Sequence, residues 1–144
     1  MQGNDIRSYA DKGQGVIFEG LLAVPREKKF QLFRNRVITD WSKELQTWRA
    51  NELPLKALID TSDRLGVNTE IYTFLDPEAP DAIDKWLLRK GISLPIWYYT
   101  NVEELAYDLR FNRSIRTIFV PDEEQASVIG IRATVVDPKK AWTL

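Results

Sequence analysis

The chain has 144 residues, 44 % of them apolar, with 20 basic and 21 acidic side chains, seven glycines and seven prolines, the composition of one globular domain with a single core and not of a disordered tail, a collagen or a coiled coil. It contains no cysteine and no histidine, which excludes disulfides, thiolate nucleophiles, imidazole bases, serine–histidine–aspartate triads and the usual zinc sites. The formal charge of −1 supplies no global field toward nucleic acid or an anionic membrane, so any such contact has to be local.

Residues 1–14 are polar and read as a loose lead-in. They show no basic stretch followed by an apolar core, and no apolar run in the chain reaches the roughly 18 to 20 residues needed to span a bilayer, so the reading is cytoplasmic, with no membrane partner. Gly15-Val16-Ile17-Phe18 is a β-branched and aromatic run between glycines, a buried strand, followed through Glu19-Gly20 by Leu21 to Pro25 and a turn. From Pro25 to Arg36, Phe30 and Phe33 stand at i, i+3, as on a helix whose other face carries Arg26, Lys28, Lys29, Arg34 and Arg36.

Trp41, Leu45 and Trp48 fall at i, i+4 and i+7 after a candidate cap at Thr39 or Asp40, which predicts a helix with all three facing the core. Pro54 opens a second helix carrying Leu55, Leu58, Ile59 and Leu65 and stopping at Gly66. Thr69 to Leu75 has strand composition and ends at Asp76-Pro77; Asp81 to Lys90 is helical, with a basic last turn before Gly91. Leu94 to Tyr99 is a further strand, and Asn101-Val102-Glu103-Glu104 has the spacing of a capping box ahead of Leu105 and Leu109. Thr117 to Val120 is a strand, Asp122 to Ile129 a short helix ending at Gly130, and Arg132 to Val136 a last strand stopped by Asp137-Pro138. Strands separated by helices and without hairpin signals indicate right-handed crossovers. The prediction is an α/β chain folded as a three-layer α/β/α, Rossmann-like domain over residues 15–138, with a five-stranded, mainly parallel sheet and a tail at 139–144.

Four segments resemble the haloacid dehalogenase-like hydrolase superfamily. Ile17-Phe18-Glu19-Gly20-Leu21-Leu22 lies where the family's Asp-x-Asp-Gly-Thr-Leu pattern follows its first strand, and Ile71-Tyr72-Thr73 is similar to the strand that ends in a phosphate-holding Thr or Ser. Ala82 to Ile92 looks like the family's helix with its Leu-x-x-x-Gly-Ile exit, and Ile118 to Ala126 with Ile129 to Ala133 is similar to the acidic strand end and the small-residue helix after it. The resemblance implies a fold with its site at the strand ends and a magnesium-dependent phosphoryl transfer, in which the first aspartate is nucleophile and metal ligand and the second is general acid and base.

The departures argue against that chemistry. Ile17 replaces the nucleophile, and an isoleucine has no lone pair with which to attack phosphorus or bind a hard cation. Glu19 holds the general-acid position with one extra methylene, and Leu21 replaces the threonine. No lysine occurs between Lys90 and Lys139, so positive charge near a phosphate would have to come from Arg110, Arg113 or Arg116. Pro121 takes the first acidic position of the fourth segment, beside Asp122, Glu123 and Glu124. No cofactor is expected. Weak Mg²⁺ binding by those three acids with Glu19 is the alternative, although acids at a helix start are expected from the helix dipole alone.

The functional expectation is therefore a catalytically inactive domain of this kind that works by protein–protein contact as a subunit, adaptor or inhibitor, with Ile17, Glu19, Thr73 and Asp122 as vestigial site positions. Trp142, near the end of the chain, is a candidate interface anchor. Two alternatives stand beside it. One is a phosphatase or nucleotidase in which Glu19 and Asp122 carry altered chemistry, with Asp60, Asp63 or Asp76 brought in from loops. The other is a nucleotide or nucleic-acid binding module using Thr73, Arg113 and the basic stretch from Arg26 to Arg36.

Overall fold

The structure, a computed structural model, describes residues 13–25, 38–62, 68–111 and 115–140. Along the chain come β1 (Gly13–Ile17), β2 (Ala23–Pro25), α1 (Trp41–Leu45), β3 (Trp48–Ala50), α2 (Glu52–Ser62), β4 (Thr69–Thr73), α3 (Ala79–Leu88), β5 (Ile96–Tyr98), α4 (Val102–Leu109), β6 (Ile115–Val120), α5 (Glu123–Ile129) and β7 (Ala133–Val135). Five strands form one sheet in the order β5-β4-β1-β6-β7, every neighbouring pair parallel.

The chain steps from β1 outward through β4 to β5, returns to the other side of β1 as β6, and ends at β7. Such winding places the helices of the two halves on opposite faces of the sheet, and the core divides accordingly. Val16, Phe18, Ile71 and Phe119 point to one face and pack with Trp41 and Leu45 of α1, Leu55 and Leu58 of α2, and Ile83, Trp86 and Leu87 of α3. Ile17, Tyr72, Ile118 and Val120 point to the other and pack with Leu105 and Leu109 of α4, with Ala126 and Ile129 of α5 at the margin. The period of two in side-chain direction makes each central strand apolar on both faces, which is why β1 reads as a continuous hydrophobic run. The expected three-layer α/β/α arrangement is what the chain adopts.

Gly15 has a specific task in this sheet. The Tyr72 ring lies across β1 at this point, and a Cβ on residue 15 would fall 2.2 Å from Tyr72 Cε2 and 2.9 Å from Ile118 Cδ1. Only glycine lets both neighbours close over the central strand.

Two sequence expectations are corrected. β1 begins at Gly13, so residues 13 and 14 belong to the sheet and not to the lead-in. Trp48 is not on a helix: α1 is capped by Asp40, whose Oδ1 accepts from the Lys43 N–H at 3.1 Å, and it ends at Leu45. After a turn, Trp48–Ala50 pairs antiparallel with Ala23–Pro25 as a two-stranded ribbon outside the main sheet. Trp48 is buried in the same core as Trp41 and Leu45. A helical continuation and a turn that brings the chain back satisfy the same burial, so spacing alone did not separate them. Asn51 ties the ribbon to the turn after β1, donating its side-chain amide to the Leu21 carbonyl at 2.8 Å and its N–H to Leu22 at 2.9 Å.

The other elements fall within a few residues of their predicted places. Pro25, the expected start of a helix, instead closes β2, and residues 26–36 of that helix, Leu65 and Gly66, and the tail from 141 lie outside the described residues. Among the described residues no helix is long and apolar enough to cross a membrane.

Candidate functional site at the strand ends

In a doubly wound sheet, ligands bind outside the carboxyl ends of the strands, at the point where connections diverge to opposite faces. That point here lies between β1 and β6. The chain leaves β1 through a tight turn in which the Leu22 and Ala23 N–H groups donate to the Phe18 carbonyl at 2.9 and 3.3 Å and the Gly20 N–H donates to Ala23 at 2.9 Å. Gly20 has φ +88°, and a Cβ there would meet Pro121 Cγ and Cβ at 3.2 and 3.3 Å. The positive φ calls for glycine, and the Pro121 ring packs closely against the turn at the switch point.

Ile17, the last residue of β1, is fully buried among Tyr72, Leu105, Leu109 and Ile118. The position that the family resemblance gives to a nucleophile thus belongs to the apolar layer beneath α4.

Glu19 is only 6 % exposed. Its Oε2 accepts from the Thr73 hydroxyl and from the Phe74 N–H, both at 3.1 Å. Thr73 is fully buried, and its Oγ1 in turn accepts from the Leu75 N–H at 3.2 Å. The second oxygen, Oε1, is buried without a hydrogen-bond partner. Loss of hydration pushes the carboxyl up to about 7, against the lowering effect of its own backbone N–H, the Phe74 N–H and the Thr73 hydroxyl. Two residues singled out separately in the sequence are therefore brought together, and each spends its hydrogen bonds on the other and on the adjoining backbone.

Asp122 is exposed at the end of β6 and caps α5, its Oδ1 accepting from the Gln125 N–H at 2.8 Å. Glu123 and Glu124 occupy the exposed first turn of that helix. Asp76 accepts from the Glu78 N–H at 2.9 Å ahead of α3, and Asp60 is exposed on α2. Among the described residues no group of three or more acids could hold a metal ion. Among the described strand-end residues, Ile17 has no ligand atom, Glu19 Oε2 is bonded to Thr73 and Phe74, and Asp122 caps α5. Arg110 and Arg116 are exposed at the end of α4 and on β6. Arg26, Lys28, Lys29, Arg34, Arg36, Asp63, Arg113 and Trp142 lie outside the described residues.

Sequence reasoning missed two features. Trp41, Trp48 and Trp86 are core, but Trp97 on the edge strand β5 is 52 % exposed, and Tyr107 on α4 and Phe111 just beyond it are more exposed still, their rings edge-to-face at 5.4 Å. The signal was an aromatic i, i+4 pair off the stripe set by Leu105 and Leu109. The second feature is a tyrosine–carboxylate cluster. Tyr72 donates to Glu70 Oε2 at 2.9 Å, Tyr99 donates to Asp108 Oδ2, and the two rings meet edge-to-face at 5.8 Å. Burial first, and then the neighbouring carboxylates, hold both phenols above their ordinary range.

Comparison with protein-family models, with curated proteins and with solved structures finds no match to this chain.

Proposed function

We propose that this is a non-catalytic domain of the haloacid dehalogenase-like kind, acting in the cytoplasm by protein–protein contact as a subunit, adaptor or inhibitor. The observation that carries the reading is the burial of Ile17 under α4, at the strand end where covalent phosphoryl transfer needs a carboxylate. The parallel five-stranded order, with Glu19 and Thr73 converging at the ends of β1 and β4, supports descent from such a fold. The Pro121 contact with Gly20 and the internal bonding of Glu19 support loss of its chemistry. Exposed Trp97, Tyr107 and Phe111 support a contact role, since aromatic side chains contribute large apolar area at interfaces.

The test is turnover of p-nitrophenyl phosphate and nucleoside monophosphates by the purified chain with Mg²⁺. The expected rate equals that of the Glu19→Gln variant; a higher rate abolished by that substitution overturns the proposal. One observation favours a second reading, an altered phosphatase: a carboxyl titrating near neutrality is suited to general acid catalysis. It would act without a nucleophile on the protein, and the same comparison decides it.

A further inference from the structure

A cleft of about 270 Å³ opens between the ribbon and the end of α3, lined by Gln46, Trp48, Ala50, Trp86, Arg89 and Lys90. It shares no residue with the Ile17–Glu19–Thr73 site. Its floor is aromatic and braced from below: Trp48 stacks on Phe18 at 6.1 Å between ring centroids, and Trp86 meets the same ring edge-on at 5.5 Å. Its rim is cationic, with Lys90 Nζ 4.7 Å from the Trp86 ring centroid and Arg89 exposed beside it. Among the described residues no acid lines the cleft. Glu44, two residues before Gln46, is already engaged by the Trp48 Nε1–H at 3.1 Å. Neither Arg89 nor Lys90 forms an ion pair with a described residue.

Cations in a last helical turn are favoured by the helix dipole, which accounts for their presence in the sequence. It does not account for both of them lining, with the Gln46 side chain, one cleft that also holds Trp48 and Trp86. Adjacent positive charges favour a dianion, and the guanidinium fork matches phosphate oxygens. The volume exceeds what a bare anion fills, and the apolar floor calls for a ligand with an apolar or planar body. We propose that this cleft binds a small organic phosphate ester, its phosphate held by Arg89, Lys90 and Gln46 and its apolar part lying against the tryptophan edges. The proposal is independent of whether the domain is an enzyme.

Calorimetric titration of the full chain with adenosine 5′-monophosphate and 1-naphthyl phosphate, beside adenosine, 1-naphthol and inorganic phosphate, tests it, with tryptophan fluorescence as a second readout. At least one ester is expected to saturate about tenfold more tightly than its dephosphorylated form and than inorganic phosphate. Arg89→Gln should weaken that binding about tenfold with an unchanged thermal midpoint, because the exposed guanidinium supports no described contact. Lys90→Gln serves as the second variant. No binding of either ester at millimolar concentration, equal affinity for the dephosphorylated forms, or wild-type affinity in both variants overturns the proposal.

Discussion

The Glu19 carboxylate accepts a hydrogen bond from the Thr73 hydroxyl 54 positions away, joining the ends of two neighbouring parallel strands inside the protein. One oxygen of that carboxylate carries two hydrogen bonds and the other is buried with none. The pair has a measurable consequence for stability.

Glu19 is raised from 4.5 to about 7 by burial, so between those values the folded chain binds more protons than the unfolded chain. Stability contributed by this group is then fully present below about pH 4.5, falls as pH rises, and levels off above about pH 7, a loss on the order of 3 kcal/mol at most. Urea midpoints of the wild type should decline between pH 5 and pH 8 relative to those of Glu19→Gln. Parallel pH profiles for the two proteins would contradict this account. Thr73→Val, nearly isosteric, removes one bond to the charged form and should move the decline to higher pH.

Ile17→Asp installs the residue type that the proposed resemblance gives to a nucleophile, but it places a carboxylate in the apolar layer formed by Tyr72, Leu105, Leu109 and Ile118. The expected outcome is a loss of about 3 kcal/mol or more in chemical denaturation and no phosphatase activity. A stable variant with Mg²⁺-dependent turnover would show that the strand end is open to solvent.

Gly15→Ala drives a methyl group into the Tyr72 ring, 2.2 Å from Cε2. The ring has to shift, and overpacking of this kind costs about 1–3 kcal/mol. Because Tyr72 also donates to Glu70, the near-ultraviolet circular dichroism of the tyrosines should change in the same variant. An unchanged melting temperature and spectrum would mean that the strand accommodates a side chain there.

Phe111→Ser and Tyr107→Ser remove exposed rings that meet each other edge-to-face. Each should alter stability by no more than about 0.5 kcal/mol. If α4 contributes to a protein contact, the double variant loses a stoichiometric partner that the wild type retains in high salt; a partner held equally by both moves the contact elsewhere.

How far these features were legible in the sequence depends on the range of the interaction behind each one. The alternation of strands and helices, the Asn101 cap and the stops at Gly91 and Gly130 rest on contacts within a few residues, and they stand where the local pattern puts them. The identity of Ile17 alone excludes it as a nucleophile or cation ligand, because an isoleucine side chain has no lone pair in any surroundings.

Only the tertiary structure decided where the long-range partners meet. Trp48 keeps the helical spacing of Trp41 and Leu45, yet it pairs across a ribbon with Pro25, since burial rewards the final position and not the path to it. Glu19 and Thr73 are singled out separately in the sequence, and their mutual hydrogen bond exists because parallel pairing of β1 with β4 brings both strand ends to one edge. The cleft over Trp48 and Trp86 likewise needs the ribbon and α3 packed against the same Phe18 ring. Composition and periodicity determined the layers; pairing between distant segments determined which side chains face one another, because that geometry is set by contacts no local pattern encodes.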